Sequence, residues 1–200
     1  MAAYSYYYDD YNNDAIYQLE LFIKTYPKDK RVSYANYLLA MSHYNKIVDE
    51  KKDLGPLMES KEKFEFVIKN YPNTDFALDS NFKLDLIQET LASKEMYIAK
   101  YYIKKGKWIA AINRLKSIVD NYETTIFIEE ALHRLVEIYY KIGLIEESKK
   151  YANLLGYNYA SSDWYKNSYK VFNKEYENPY KKIEKSKKNS VLKKIKSILN

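Results

Sequence analysis

The chain has 200 residues, 46% of them hydrophobic, which is enough for one compact domain or one short repeat array with a continuous core. Four Gly and four Pro are too few for a β-rich fold of many tight turns, and the absence of Cys excludes disulfides, thiolate metal sites and Cys nucleophiles. The net charge of +6 is uneven: residues 165–200 hold eleven Lys against three Glu, a local +8, so the first 164 residues carry −2, which argues against a nucleic-acid-binding body.

In chain order the periodicity is helical throughout. Tyr4, Tyr7, Tyr8 and Tyr11 sit at helical spacing, so residues 2–10 read as a helix and Asn12-Asn13-Asp14 as the break after it. The start has no basic flank and no apolar core, so it is not a signal peptide. It reads as a helix entered midway, with preceding residues missing from this chain. A second helix covers 14–25 and ends at Pro27-Lys28-Asp29. Residues 32–50 form a third, with Tyr34, Tyr37, Leu38, Met41, Tyr44 and Ile47-Val48 on its inner side. Asp53-Leu54-Gly55-Pro56 is a turn, and Pro56 suits the first turn of a fourth helix that runs to Asn70. Tyr71-Pro72-Asn73-Thr74 ends it.

Residues 75–105 contain neither Pro nor Gly. Phe76, Leu78, Phe82, Leu84, Leu86-Ile87, Leu91, Met96, Ile98-Ala99 and Tyr102-Ile103 keep helical spacing, so one long or bent helix is expected, with Gly106 as its left-handed stop. Trp108 to Asn121 is its partner. Residues 125–141 and 145–157, split by Gly143, make the last clear pair. Ala160-Ser161-Ser162-Asp163 opens a short closing helix to Phe172, the cap that the end of a repeat array needs. Residues 173–190 read as a polar linker. Val191, Leu192, Ile195, Ile198 and Leu199, flanked by Lys193, Lys194 and Lys196, then form a short basic amphipathic helix. No run reaches the roughly 18 apolar residues of a membrane span.

A register recurs along these helices. Ala15, Leu19, Phe22, Ile23, Tyr26 align with Ser60, Phe64, Val67, Ile68, Tyr71, then with Ala111, Leu115, Ile118, Val119, Tyr122, and with Ser148, Ala152, Leu155, Gly156, Tyr159. The steps of 4, 3, 1 and 3 residues place a small side chain first, bulky ones next and a Tyr last on one helix face. The copies stand 45, 51 and 37 residues apart, against about 34 for a regular tetratricopeptide repeat. The expected fold is therefore all-α: an irregular tetratricopeptide-like α-solenoid of stacked antiparallel helix pairs over residues 1–172, with a capping helix, followed by a basic tail over 173–200. Such arrays bind partners along their helix faces.

Chemistry is sparse. His43 and His133 are far apart, with no ligand spacing and no carboxylate–nucleophile set in sight, so both read as structural or surface residues. Adjacent acids, Glu129-Glu130 and Glu146-Glu147, point in different directions and favour helix N-termini instead. No phosphate loop, nucleophile elbow or zinc pattern is present, so no enzyme and no cofactor is expected. Only three Arg occur against 30 Lys. Arg114 is open to two readings: an ordinary ion pair with Glu95 or Asp120, or a planar contact to a partner. The basic tail is open to three: a solvated tail, a contact to anionic lipid, or a segment for a partner groove.

The stretch from Asp79 to Lys116 carries a family resemblance. Glu95, Ala99, Tyr101-Tyr102, Gly106, Trp108 and Ala110-Ala111-Ile112-Asn113-Arg114 follow one long helix, Phe64 to Ser80 match upstream, and Ser162-Asp163-Trp164-Tyr165 match at the end. These residues resemble the BamD family, lipoproteins of the outer-membrane β-barrel assembly machinery, over roughly residues 5–172. The resemblance implies a lipid-anchored protein on the periplasmic face of the outer membrane. Its N-terminal half would recognise unfolded β-barrel substrates, and its C-terminal half would dock on a POTRA domain of the barrel-forming subunit BamA, with other assembly lipoproteins as possible neighbours. Arg114 takes the place of the family's interface Arg, with Asn113, Glu95, Tyr101 and Trp108 around it in the POTRA-facing set. The chain departs from the family in lacking a signal peptide, a lipobox Cys, most of the first helix pair and part of the second, which a truncated chain would explain; the anchoring lipid would then lie on a segment absent here. The tail, with Lys193, Lys194 and Lys196 as a membrane or partner contact, is outside the resemblance. The alternatives are another periplasmic tetratricopeptide adaptor of the cell-division type, which would lack the long 75–105 helix, and a cytosolic peptide-binding chaperone adaptor with a Lys and Asn carboxylate clamp.

Overall fold

The last position of the register is where the fold is most regular. Tyr26, Tyr71, Tyr122 and Tyr159 are each the C-cap of a helix, with φ between −135° and −127°, ψ between 39° and 57°, and the cap N–H donating to the carbonyl four residues back. Three residues on, Asp29, Thr74, Thr125 and Ser162 each donate a backbone N–H to that Tyr carbonyl at 3.0–3.2 Å. Thr74 and Thr125 add a hydroxyl bond to the same oxygen. The repeat thus includes a turn after its Tyr, closed by a residue with a short side-chain oxygen.

The computed structural model describes residues 2–46 and 54–173, and among these every regular element is a helix. In chain order they are α1 (Ala2–Tyr8), α2 (Asn12–Thr25), α3 (Val32–Asn45), α4 (Gly55–Asn70), α5 (Asp75–Lys104), α6 (Trp108–Asn121), α7 (Ile128–Lys141), α8 (Ile145–Asn158) and α9 (Asp163–Phe172). Helices adjacent in sequence pack on one another, α1 on α2, α2 on α3, α3 on α4, and again α6 on α7 and α7 on α8, as a tetratricopeptide-like array requires. The chain divides into two compact units between Lys94 and Glu95, inside α5.

In the first unit the core is Ala15 and Leu19 of α2 against Ala35, Leu38 and Leu39 of α3. Phe64 of α4 is fully buried beside Tyr37 and Tyr44, and Phe76 of α5 stacks on Tyr34 and Tyr37. In the second unit one cluster joins Met96 and Ala99 of α5 to Ala111, Leu115 and Ile118, then to Leu132, Leu135 and Val136, then to Ala152 and Leu155. The small first positions of the register, Ala15, Ser60, Ala111 and Ser148, are all fully buried. The two serines bridge helices: Ser60 donates to the Ala40 carbonyl at 3.3 Å and Ser148 to the Val136 carbonyl at 2.7 Å. A small side chain there lets neighbouring backbones approach, and the hydroxyl satisfies an otherwise crowded carbonyl.

Several expectations are corrected. Asn12, Asn13 and Asp14 open α2 rather than interrupt it; the break falls at residues 9–11, where Asp10 takes a left-handed φ of 60°. Asp and Asn tolerate that conformation, so the turn uses Asp10 and leaves the next polar residues free for the first helical turn. Residues 125–127 belong to the turn before α7, not to the helix. On α3 the buried side is Val32, Ala35, Asn36, Leu38, Leu39, Ala40, Ser42 and His43, and Tyr34, Tyr37, Met41 and Tyr44 are half-buried. The three tyrosine rings reach sideways to Phe64 and Phe76. On α5, Leu78, Phe82 and Leu86 are exposed although they keep helical spacing, because the α3 partners lie on the Phe76, Asp79 and Lys83 side. Ile47-Val48, the linker and the basic amphipathic segment lie outside the described residues.

Both terminal glycines act as expected. Gly106 and Gly143 have φ of +68° and +85° and stop α5 and α7. Gly156 has another role. It stands where the other copies carry Ile23, Ile68 and Val119, and a Cβ there would collide with the Tyr165 ring of α9. The glycine makes the seat for the capping helix, whose N-cap Ser162 accepts from the Tyr165 N–H at 3.0 Å.

Candidate partner-binding faces

The three arginines are held differently. Arg31 grips both oxygens of Asp29 through Nε and Nη2, at 2.9 and 2.8 Å, and holds that carboxyl well below the usual range. Arg134 engages Glu130 through Nε and Nη2 and Glu137 through Nη1, and its guanidinium lies 5.7 Å from the Trp164 ring. Arg114 meets Glu95 through Nη1 alone, at 3.3 Å from each oxygen, with its side chain 44% exposed. That distance is long for a charge-assisted bond, so the pair contributes little to stability and orients the guanidinium without saturating it. Of the two acids in reach by sequence spacing, Arg114 takes Glu95 over Asp120.

The residues expected to face a POTRA domain are not gathered on one surface. Asn113 is exposed next to Arg114 on α6. Tyr101 is exposed on α5, beside Tyr102 and Lys105, but six positions beyond Glu95 places it about 120° further round the helix. Trp108 is likewise about 120° from Arg114 on α6. It is half-buried and faces Ile103 of α5 and Ile138 and Lys141 of α7, with Lys141 Nζ 4.5 Å from its ring. Lys193, Lys194 and Lys196 lie outside the described residues.

Both histidines are buried structural residues. His43 Nδ1 is 2.8 Å from Glu59 Oε2 and ties α3 to α4. His133 has neighbours that sequence spacing does not disclose: Ser168 Oγ at 2.9 Å from Nδ1, 35 residues away, and Glu137 Oε1 at 3.5 Å from Nε2. Here is a carboxylate–nucleophile set that the sequence does not reveal, but it does not form a hydrolytic site. Ser168 is fully buried, and its hydroxyl faces the ring nitrogen opposite the one a serine nucleophile uses. The cluster instead clamps α9 on α7, with the His133 ring 5.2 Å from Trp164. The His133 ring and Arg134 hold the Glu137 carboxyl at about 2, against the opposing effect of burial.

Among the described residues no group of three His, Cys, Asp or Glu side chains is arranged to hold a metal ion, and no helix is long and apolar enough to cross a membrane. The paired acids behave as expected at helix N-termini: Glu129 and Glu130 lie in the first turn of α7, Glu146 and Glu147 in that of α8. Glu130 also receives Lys100 of α5 at 2.9 Å, so one ion pair joins α5 to α7 and another, Arg114–Glu95, joins α5 to α6.

A family described as outer membrane lipoprotein, YfiO, matches residues 1–155. The chain is 44% identical over 178 residues to the outer membrane protein assembly factor BamD of Rickettsia prowazekii, covering 89% of this chain and 70% of that protein. It is 38% identical over 173 residues to the BamD of Caulobacter vibrioides, covering 86% and 57% respectively. A third relative, the BamD of Neisseria meningitidis serogroup A, is 29% identical over 170 residues, 80% of this chain and 64% of that protein. The chain thus spans between 57% and 70% of the length of these relatives.

Proposed function

We propose that this chain, which belongs to the YfiO (BamD) family of outer membrane lipoproteins, acts as a non-enzymatic scaffold of outer-membrane β-barrel assembly. The second unit docks on a POTRA domain of the BamA-type subunit through Arg114, with Asn113 beside it and Glu95 as its orienting partner. The first unit, with its tyrosine-rich α1–α3, faces unfolded β-barrel substrates. The protein works at the periplasmic face of the outer membrane, held by a lipid anchor, with other assembly lipoproteins as neighbours. Tyr101 adds an exposed aromatic to the same unit, and Trp108 serves the face from behind by fixing the α5–α6 turn. Lys193, Lys194 and Lys196 form a secondary contact to membrane or partner.

The observation that carries this reading is the state of Arg114. It is the arginine whose fork is not closed on an acid of its own chain, and it is held outward on a unit braced by Lys100–Glu130 and Arg134–Glu130 pairs. An oriented, half-exposed guanidinium suits a carboxylate on a partner, and such arginines commonly dominate interfaces. The 30-residue α5 is the element that the cell-division type of adaptor would lack. The test is co-purification of the BamA-type subunit with the full chain. Arg114→Glu is expected to abolish recovery and Arg114→Lys to retain part of it. Equal recovery with all three would overturn the assignment of Arg114.

A further inference from the structure

A second surface lies at one end of the second unit, where the α5–α6 and α7–α8 turns meet. Both turns close on a left-handed glycine, Gly106 and Gly143, which bends the chain sharply and leaves the following residues at the tip. Ile109 is 68% exposed and Leu144 50% exposed. Trp108 is half-buried at a cleft of about 410 Å3 that it lines with Gly106, Lys107, Ile109, Ala110 and Ile142. Around these apolar groups stand Lys104, Lys105, Lys107 and Lys141, all exposed, and none forms an ion pair among the described residues. The acids of this region are each paired: Glu137, which lines a cleft with Trp108 and Lys141, with His133 and Arg134, and Glu146 and Glu147 with Lys149 and Lys150 on their own helix.

We infer that this corner rests on an anionic phospholipid surface. An indole flanked by aliphatic side chains and ringed by lysines matches the boundary between headgroups and acyl chains, where Trp settles and Lys meets phosphate. The charge left without an ion pair is of one sign and the apolar groups project from turn tips, which suits a plane of headgroups better than the groove of a folded acidic partner. Each lysine near such a surface favours binding by about fivefold, so three act together by about a hundredfold. The contact is separate from the Arg114 face and does not depend on POTRA docking. It would set how the second unit stands against the membrane whatever protein it meets.

The chain has no cysteine, so Ile109→Cys carries a single environment-sensitive fluorophore at an exposed site. Tyr157→Cys, at a side chain 90% exposed on α8, is the control. Both are made in the full chain with Lys193, Lys194 and Lys196 replaced by Gln, so that the tail does not hold the chain on the vesicle. With phosphatidylethanolamine–phosphatidylglycerol vesicles the label at 109 is expected to shift to the blue, and the label at 157 to stay unchanged. Pure phosphatidylcholine is expected to give no shift. Replacing Lys104, Lys105 and Lys107 by Gln is expected to raise the lipid concentration for half response about a hundredfold. A silent label at 109 at saturating anionic lipid would overturn the proposal. So would an equal response to soluble polyglutamate, which would assign the corner to an acidic protein.

Discussion

Gly156 and Glu137 show two ways in which one residue sets the seat of α9. A side chain at Gly156 collides with the Tyr165 ring, although Ile23, Ile68 and Val119 fill the same register position elsewhere. Gly156→Val should therefore lower stability by about 1–3 kcal/mol, as overpacking does, visible as a fall in Tm by circular dichroism. Tyr165→Ala in that background should recover part of the loss; no recovery would place the strain elsewhere. Glu137 acts through charge. Its carboxyl is held at about 2, below its ordinary value of 4.5, by His133 and then Arg134. A depressed folded value means that its contribution is complete above about pH 4.5 and disappears as pH falls toward 2. Urea midpoints measured at pH 5.5 and pH 3 should thus differ more for the natural chain than for Glu137→Gln. Equal differences would show that the carboxylate contributes nothing to pH-dependent stability. Neither role is legible in the sequence, because both depend on which helix covers the residue: Gly156 reads as one more register position inside a helix, and His133 and Ser168 are 35 residues apart.

At the scale of elements, the periodicity and the glycine stops suffice to find the helices, since a face of apolar residues every three or four positions has few other uses. α6 spans Trp108–Asn121 as expected, and α5 is one helix of 30 residues. The turn chemistry after each Tyr is also in the sequence, as Asp29, Thr74, Thr125 and Ser162 at one offset, but it becomes readable only through the four carbonyls they close on. Periodicity does not say which neighbour is present, which is why Leu78, Phe82 and Leu86 fit the core pattern yet face outward. Two substitutions separate backbone from packing effects. Gly143 has φ +85° and no atom within 4 Å of the place a methyl group would take, so Gly143→Ala should cost about 1–2 kcal/mol from the left-handed backbone alone. Ser148→Ala should cost about 1 kcal/mol by removing the bond to the Val136 carbonyl. Both are read by urea denaturation. A neutral Gly143→Ala would mean that the turn relaxes to another conformation.

For the molecule as a whole, the fold class and the family follow from features spread over the chain: the repeated register, the long α5 and the tract through Asn113 and Arg114. The proposed partner face is only half legible. A rare Arg among many Lys marks Arg114, and of the two acids that the sequence offers it, Glu95 and Asp120, the structure selects Glu95 while separating Tyr101 and Trp108 from the pair. Residues that share a motif need not share a surface, because a helix turns them about 100° per position. The most direct test of the account is calorimetric titration of the full chain with purified POTRA domains of the BamA-type subunit from the same source, with Arg114→Glu as control. Saturable binding to one POTRA domain, lost in Arg114→Glu while helicity is unchanged, is the predicted result. Binding that survives Arg114→Glu, or no binding to any POTRA domain by a folded chain, would contradict it.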